Sequence, residues 1–171
     1  MLIGTTSNYM LGQMGIEEGF ALLRDIGFSC VDFGFQRWLC YEAITQLKPN
    51  SFFEESDEKL RTFFQPYKQA AQRYGVRIWQ SHAPFPTYTK DKATNEAVEL
   101  ALRKCIMLSG YLDCRYLVIH PAFLDYHDKL SAREEWDLNI RLFGSLIPLL
   151  KEFRVMACME NIYTRYSRDL Y

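Results

Sequence analysis

Three apolar runs in this chain each end in a residue suited to metal or proton chemistry: VRIWQSH at His82, RYLVIH at His120 and VMACME at Glu160. Imidazole is the commonest divalent-metal ligand and the side chain best matched to proton transfer near neutral pH. His82 opens HAPFP and His120 sits in VIHPAF, so each is followed within two residues by a proline that removes a backbone donor and stiffens the loop. Two parallel strands ending this way would aim two imidazoles at one axial space; the other reading is a pair of hydrogen-bonded core histidines. An ionised Glu160 at the end of VMACM would be costly unless it met a cation or dense hydrogen bonding. A metal ion or a proton-transfer role explains its place, and an ion pair with a neighbouring Arg or Lys is the structural alternative. Asn161 beside it suits a sugar hydroxyl, or orients the carboxylate, or simply forms a turn.

Other residues carry weaker signals. Asp32 lies within CVDFGF, where Val31 and Phe33 pack outward and Asp32 turns inward or to the rim, as a structural acceptor or a site group. Trp38, Tyr41, Phe85, Tyr88 and Phe123 could wall a pocket by stacking on the apolar face of a sugar, although aromatics are also ordinary core material. His127, in DYHDK, reads as solvated. The five cysteines, Cys30, Cys40, Cys105, Cys114 and Cys158, show no CxxC pair and no zinc-finger spacing. They read as small buried hydrophobes.

The elements that must position these groups alternate as strand and helix, the pattern of parallel βαβ units. Strands are expected at 2–5, 30–35, 76–81, 115–120 and 155–159. A helix over 16–26 places Ile16, Phe20 and Leu23 on one face and stops at Gly27. A second, 56–74, buries Leu60, Phe63 or Phe64, Tyr67 and Ala71; Pro66 should kink or break it, and Gly75 ends it. A third, 94–109, turns Val98, Ala101, Leu102, Cys105 and Leu108 inward, with Gly110 past its end. Ser131 to Glu134 has the spacing of a capping box, opening a helix expected to bury Trp136, Ile140, Phe143 and Ile147. The segment from Gln36 to Glu55 is too long for a bare loop and should carry a short helix. Repeated units that deliver polar groups to one rim point to an α/β fold of the (β/α) TIM-barrel type, incomplete, with about five of the usual eight units in one domain spanning 1–171.

Composition sets the outer bounds. A chain of 171 residues, 49% hydrophobic, suffices for one substantial core. Its 20 basic and 21 acidic side chains leave a formal charge of -1, which provides no cationic field for a phosphate backbone, so nucleic acid is a poor partner. The chain has no apolar run long enough to span a membrane and no basic, apolar leader at its start, so a cytoplasmic location is expected.

In their order, GFSCVDFGF, YGVRIWQSHAPF, CRYLVIHPA and MACMENIY resemble the xylose-isomerase-like TIM-barrel superfamily, which includes sugar phosphate isomerases and epimerases and the apurinic-site endonucleases. The resemblance runs from strand one through strand five. It implies that Glu160 is a divalent-metal ligand and, as in the epimerase branch, an acid/base catalyst. It implies metal ligation by His82 and His120 if the endonuclease branch is followed, and substrate contact if the epimerase branch is followed. Beside these, Trp38, Phe85 and Asn161, taken from their residue types and places in the chain, are the expected substrate contacts. Mn²⁺ or Mg²⁺ is the expected ion, with Zn²⁺ the alternative, and the partner is a small carbohydrate. The reaction implied is metal-assisted isomerisation or epimerisation through an enediolate.

Members of the superfamily continue through strands six to eight, which supply an Asp, a His and a second Glu. Eight strands need at least about two hundred residues, so this chain has room for five and is expected to leave strand edges open for association with another copy. Two further readings are a metal phosphodiesterase of the apurinic-site type and a non-catalytic half-barrel that serves as an interaction module or is a truncated product.

Overall fold

Five short strands pair edge to edge in the order in which the chain makes them. In the computed structural model, which describes residues 1–38, 51–124 and 130–160, these are β1 (Gly4–Thr6), β2 (Cys30–Gly34), β3 (Arg77–His82), β4 (Tyr116–Ile119) and β5 (Met156–Met159), and every pairing is parallel. Parallel neighbours require a crossover, and helices supply it: α1 (Asn8–Met14) and α2 (Ile16–Ile26) after β1, α3 (Ser51–Glu54) and α4 (Asp57–Tyr74) after β2, α5 (Lys92–Tyr111) after β3, and α6 (Ala132–Glu152) after β4. Unbroken sequential order is that of a barrel wall, since doubly wound sheets reverse direction at a switch point. The expected incomplete barrel of five units is what the chain forms.

One core lies between the outer face of the sheet and the helices. Phe20 and Leu23 of α2, Phe33 of β2, Leu60 and Phe64 of α4, Leu102 and Ile106 of α5, Leu117 and Ile119 of β4 and Leu146 of α6 are all buried within it. Each such side chain contributes about 1.5–3 kcal/mol on burial. The helix stops read from the sequence hold at Gly27 and Gly75, both left-handed at φ 100° and 67°, a conformation that costs glycine nothing. The Ser131 capping box is complete: the Ser131 hydroxyl accepts from Glu134 N, and the Glu134 carboxylate accepts from Ser131 N at 2.8 Å. α5 has an N-cap not anticipated, Asp91, whose Oδ2 accepts from Thr94 N at 2.7 Å, and α5 runs through Gly110 to Tyr111.

Two expectations need correction. Of the two outcomes expected at Pro66, the break does not occur: α4 is continuous from Asp57 to Tyr74. Pro66 lies on the exposed face between the buried anchors Phe64 and Tyr67, whose packing holds the helix across the missing N–H. α6 docks a different face from the one expected. Leu146 is fully buried, with Leu142, Phe143, Leu149 and Leu150 packed beside it, whereas Trp136, Ile140 and Ile147 are 64%, 58% and 47% exposed. The helix carries two apolar stripes, and periodicity alone cannot choose between them. Strand ends differ from expectation by one or two residues.

Candidate functional site

His82 reaches the inside of the curved sheet because β3 contains one extra residue. Val31 pairs with Ile78 but Asp32 pairs with Gln80, so Trp79 is bulged out of register. Below the bulge Ile78 packs into the helix-side core; above it the buried Ser81 hydroxyl lies 2.9 Å from that of Ser109 on α5. Positions 78 and 81 cannot both face the helices under strict alternation, so the bulge reverses the phase and turns His82 inward. β4 needs no such device: Leu117 and Ile119 enter the helix-side core, and His120 follows in the inward phase. Along β5, Val155 and Ala157 pack outward, which places Glu160 inward.

The neighbouring strand end is clamped. Ser7 donates to the Asp32 carbonyl from both its N–H and its hydroxyl, each at 3.0 Å, and Gly34 N donates to Asn8 Oδ1 at 3.1 Å. Gly34 is required by this close approach, because a Cβ there would overlap the Asn8 amide.

The three strand-end residues converge. Glu160 Oε2 lies 3.4 Å from His82 Nε2 and 3.3 Å from His120 Nε2, and the two imidazole centroids are 5.8 Å apart. One ligand atom from each residue falls within 4.8 Å of the other two. Donors about 2.1 Å from a common centre in tetrahedral array lie ~3.4 Å apart; the two imidazole–carboxylate spacings match this separation, which makes the three residues a candidate site for a divalent metal ion. On the far side of its ring, His82 Nδ1 is 2.8 Å from Asp32 Oδ2.

The electrostatics of the two histidines diverge. The hydrogen bond to Asp32 raises the pKa of His82 above its ordinary value; burial opposes the shift, and the charges of Asp32 and Glu160 reinforce it. His120 is pushed the other way by burial, which outweighs the attraction of Glu160. His120 Nδ1 is buried without a hydrogen-bond partner among the described residues.

Phe85 borders this group, its ring 5.2 Å from that of His120 and 5.9 Å from that of Phe123, and it is 37% exposed. Trp38 is placed elsewhere: its ring packs against Phe64 at 4.8 Å and stacks on Phe33 at 5.8 Å, within the helix-side aromatic cluster. Asn161, His127, Tyr41 and Cys40 lie outside the described residues. Cys30, Cys105 and Cys114 are buried, as read from the sequence, whereas Cys158 is only half-buried, and burial pushes the Cys114 thiol up to about 11. A separate cleft at the opposite ends of the strands, lined by Asp113, Cys114, Arg115, Arg154 and Met156, lies on the face where barrels place structure rather than chemistry. In the sequence Asp32 reads equally as a structural acceptor or a site group, and its pairing with His82 emerges only from the register of β2 on β3.

A family model described as xylose isomerase-like TIM barrel matches residues 20–171. The chain belongs to that family. Among solved structures, this family member resembles a D-tagatose 3-epimerase-like protein (TM-score 0.64, 16% identity, 95% of this chain and 53% of the other). It also resembles the E. coli 3-keto-D-glucoside 4-epimerase (0.66, 10%, 93% and 56%) and the IolI protein with a binding zinc atom (0.58, 11%, 91% and 50%). At these identities the likeness is one of fold, and the chain spans about half the length of these structures. No curated protein matches the sequence.

Proposed function

We propose that this chain carries one side of a divalent-metal-dependent site for sugar or sugar phosphate isomerisation or epimerisation. The observation behind this reading is the convergence of His82, His120 and Glu160 at the C-terminal rim, where barrel enzymes assemble their chemistry. The three would hold Mn²⁺ or Mg²⁺, with Zn²⁺ the alternative, and such an ion would polarise a ketose carbonyl when bound. Glu160 turns Oε2 toward both imidazoles, which leaves Oε1 to take the proton from the carbon beside that carbonyl, giving an enediolate. Return of a proton to the opposite face, or to the neighbouring carbon, falls to a second acid. Phe85, whose ring lies beside His120, is assigned the stacking contact with a sugar ring, and Asn161 is assigned a hydroxyl contact from its place in the sequence beside Glu160.

The same reading takes 1–171 as a single cytoplasmic domain; no helix among the described residues is long and apolar enough to cross a membrane. It includes self-association, since β1 and β5 each have one unpaired edge among the described residues. The near-neutral charge does not favour the phosphodiesterase alternative.

The test is solvent deuterium exchange into ketohexoses and their phosphates with added Mn²⁺. Exchange that needs the metal and disappears in Glu160→Gln supports catalysis by this chain. Absence of exchange with every sugar, from a protein that also fails to bind Mn²⁺, overturns the proposal.

A further inference from the structure

We propose that Asp32 is a positioning residue for the cation site: it holds the proton of neutral His82 on Nδ1, so that Nε2 carries the free lone pair that faces Glu160 and His120. The inference deepens the reading above and rests on the three rim donors forming a cation site.

A neutral imidazole has one N–H and one acceptor nitrogen, and the group hydrogen-bonded to one nitrogen decides the character of the other. An ionised carboxylate only accepts. Carboxylates face both ring nitrogens, Asp32 Oδ2 at 2.8 Å from Nδ1 and Glu160 Oε2 at 3.4 Å from Nε2, and the shorter contact assigns the ring proton of neutral His82 to Nδ1. His82 Nε2, 3.4 Å from Glu160 Oε2, is then the nitrogen available to a cation. A carboxylate behind a metal-binding histidine fixes both tautomer and ring direction and makes the nitrogen a better donor.

Asp32 is built for this task. Its backbone carbonyl accepts two hydrogen bonds from Ser7, its strand is registered against β3 across the bulge, and its side chain is only 27% exposed. Oδ1 is buried and has no partner among the described residues, so the imidazole of His82 is the one hydrogen-bond partner found for this carboxylate there. The second imidazole lacks an equivalent: His120 Nδ1 is buried and unpartnered among the described residues. One histidine of the pair therefore has an orienting acid behind it, and the other has none in view.

Two measurements test the proposal on the full chain. Long-range ¹H–¹⁵N spectra of the metal-free protein, at a pH where both rings are neutral, should show His82 as the Nδ1–H tautomer. In Asp32→Ala the proton should move to Nε2, the nitrogen that free neutral histidine prefers, while the His120 signals stay in place. Co²⁺ affinity, followed by visible absorption, should fall roughly 10–100-fold in Asp32→Ala and Asp32→Asn, with partial recovery in Asp32→Glu. Circular dichroism and thermal melts identify variants that are simply unfolded, and the isosteric Asp32→Asn keeps the test available if Asp32→Ala does not fold. An unchanged His82 tautomer in folded Asp32→Ala overturns the proposal, as does unchanged Co²⁺ affinity in Asp32→Ala or Asp32→Asn. If the wild-type protein shows the tautomer dependence but binds no Co²⁺, the cation-site reading fails, and with it the functional half of this inference.

Discussion

At the scale of single residues, the site divides labour between two histidines by environment. The pKa of His82 in the folded protein is raised above its unfolded value near 6.5, so its pairing with Asp32 and Glu160 stabilises the metal-free fold below about pH 6.5. That contribution is lost as pH rises through the raised value. His120, with a lowered pKa, has the opposite sign and penalises folding as pH falls below its unfolded value. A bound cation needs both rings deprotonated, so Co²⁺ affinity should fall as pH drops through the raised pKa of His82. Urea midpoints measured across pH 6–9, with chelator and with Co²⁺, should therefore diverge toward alkaline pH. In His82→Gln the divergence should shrink, and parallel curves for the wild type would contradict the assignment. In the proposed cation site Glu160→Gln removes a donor itself and should weaken Co²⁺ by more than the roughly 10–100-fold expected when only the acid behind His82 is lost, read by the same titration.

At the scale of elements, the sequence was legible where one signal dominated. The Ser131 capping box, the glycine stops of α2 and α4 and the inward face of α5 all follow from local patterns that tertiary packing had no reason to override. The docked face of α6 did not follow, because a helix apolar on two sides leaves the choice to its neighbours. That correction gives a prediction: Leu146→Ala should cost about 2–5 kcal/mol, whereas Ile140→Ser should stay within roughly 0.5 kcal/mol, both by urea denaturation. Equal losses would mean that the other stripe is buried in solution. The β1–β2 clamp gives another. Gly34→Ala should destabilise by about 1–3 kcal/mol through overlap with Asn8, and adding Asn8→Ala should recover part of the loss; no recovery would place the strain elsewhere.

At the scale of the whole molecule, the order of strands and the arrival of His82, His120 and Glu160 on one rim could be read from three similar runs about forty residues apart. What could not be read were groups meeting across strands, such as Asp32 with His82, because partners 50 positions apart leave no local trace. Among the described residues β1 and β5 each have one unpaired edge, with Met156 and Met159 49% and 57% exposed on the latter, and the proposed self-association would use these edges. Sedimentation of the purified chain should show oligomers that dissociate in Met159→Lys; a monodisperse monomer would count against association through that edge.

The bulge at Trp79 makes the site depend on how many residues precede His82 as much as on which residues they are. Trp79 is 43% exposed, and Trp79→Ala should leave the Co²⁺ titration nearly unchanged. Deleting Trp79 would leave every donor in the sequence yet rotate His82 toward the helices, and cation binding should be lost. An insertion-and-deletion scan would thus find a critical position that a substitution scan passes over: here the chain stores functional information as length.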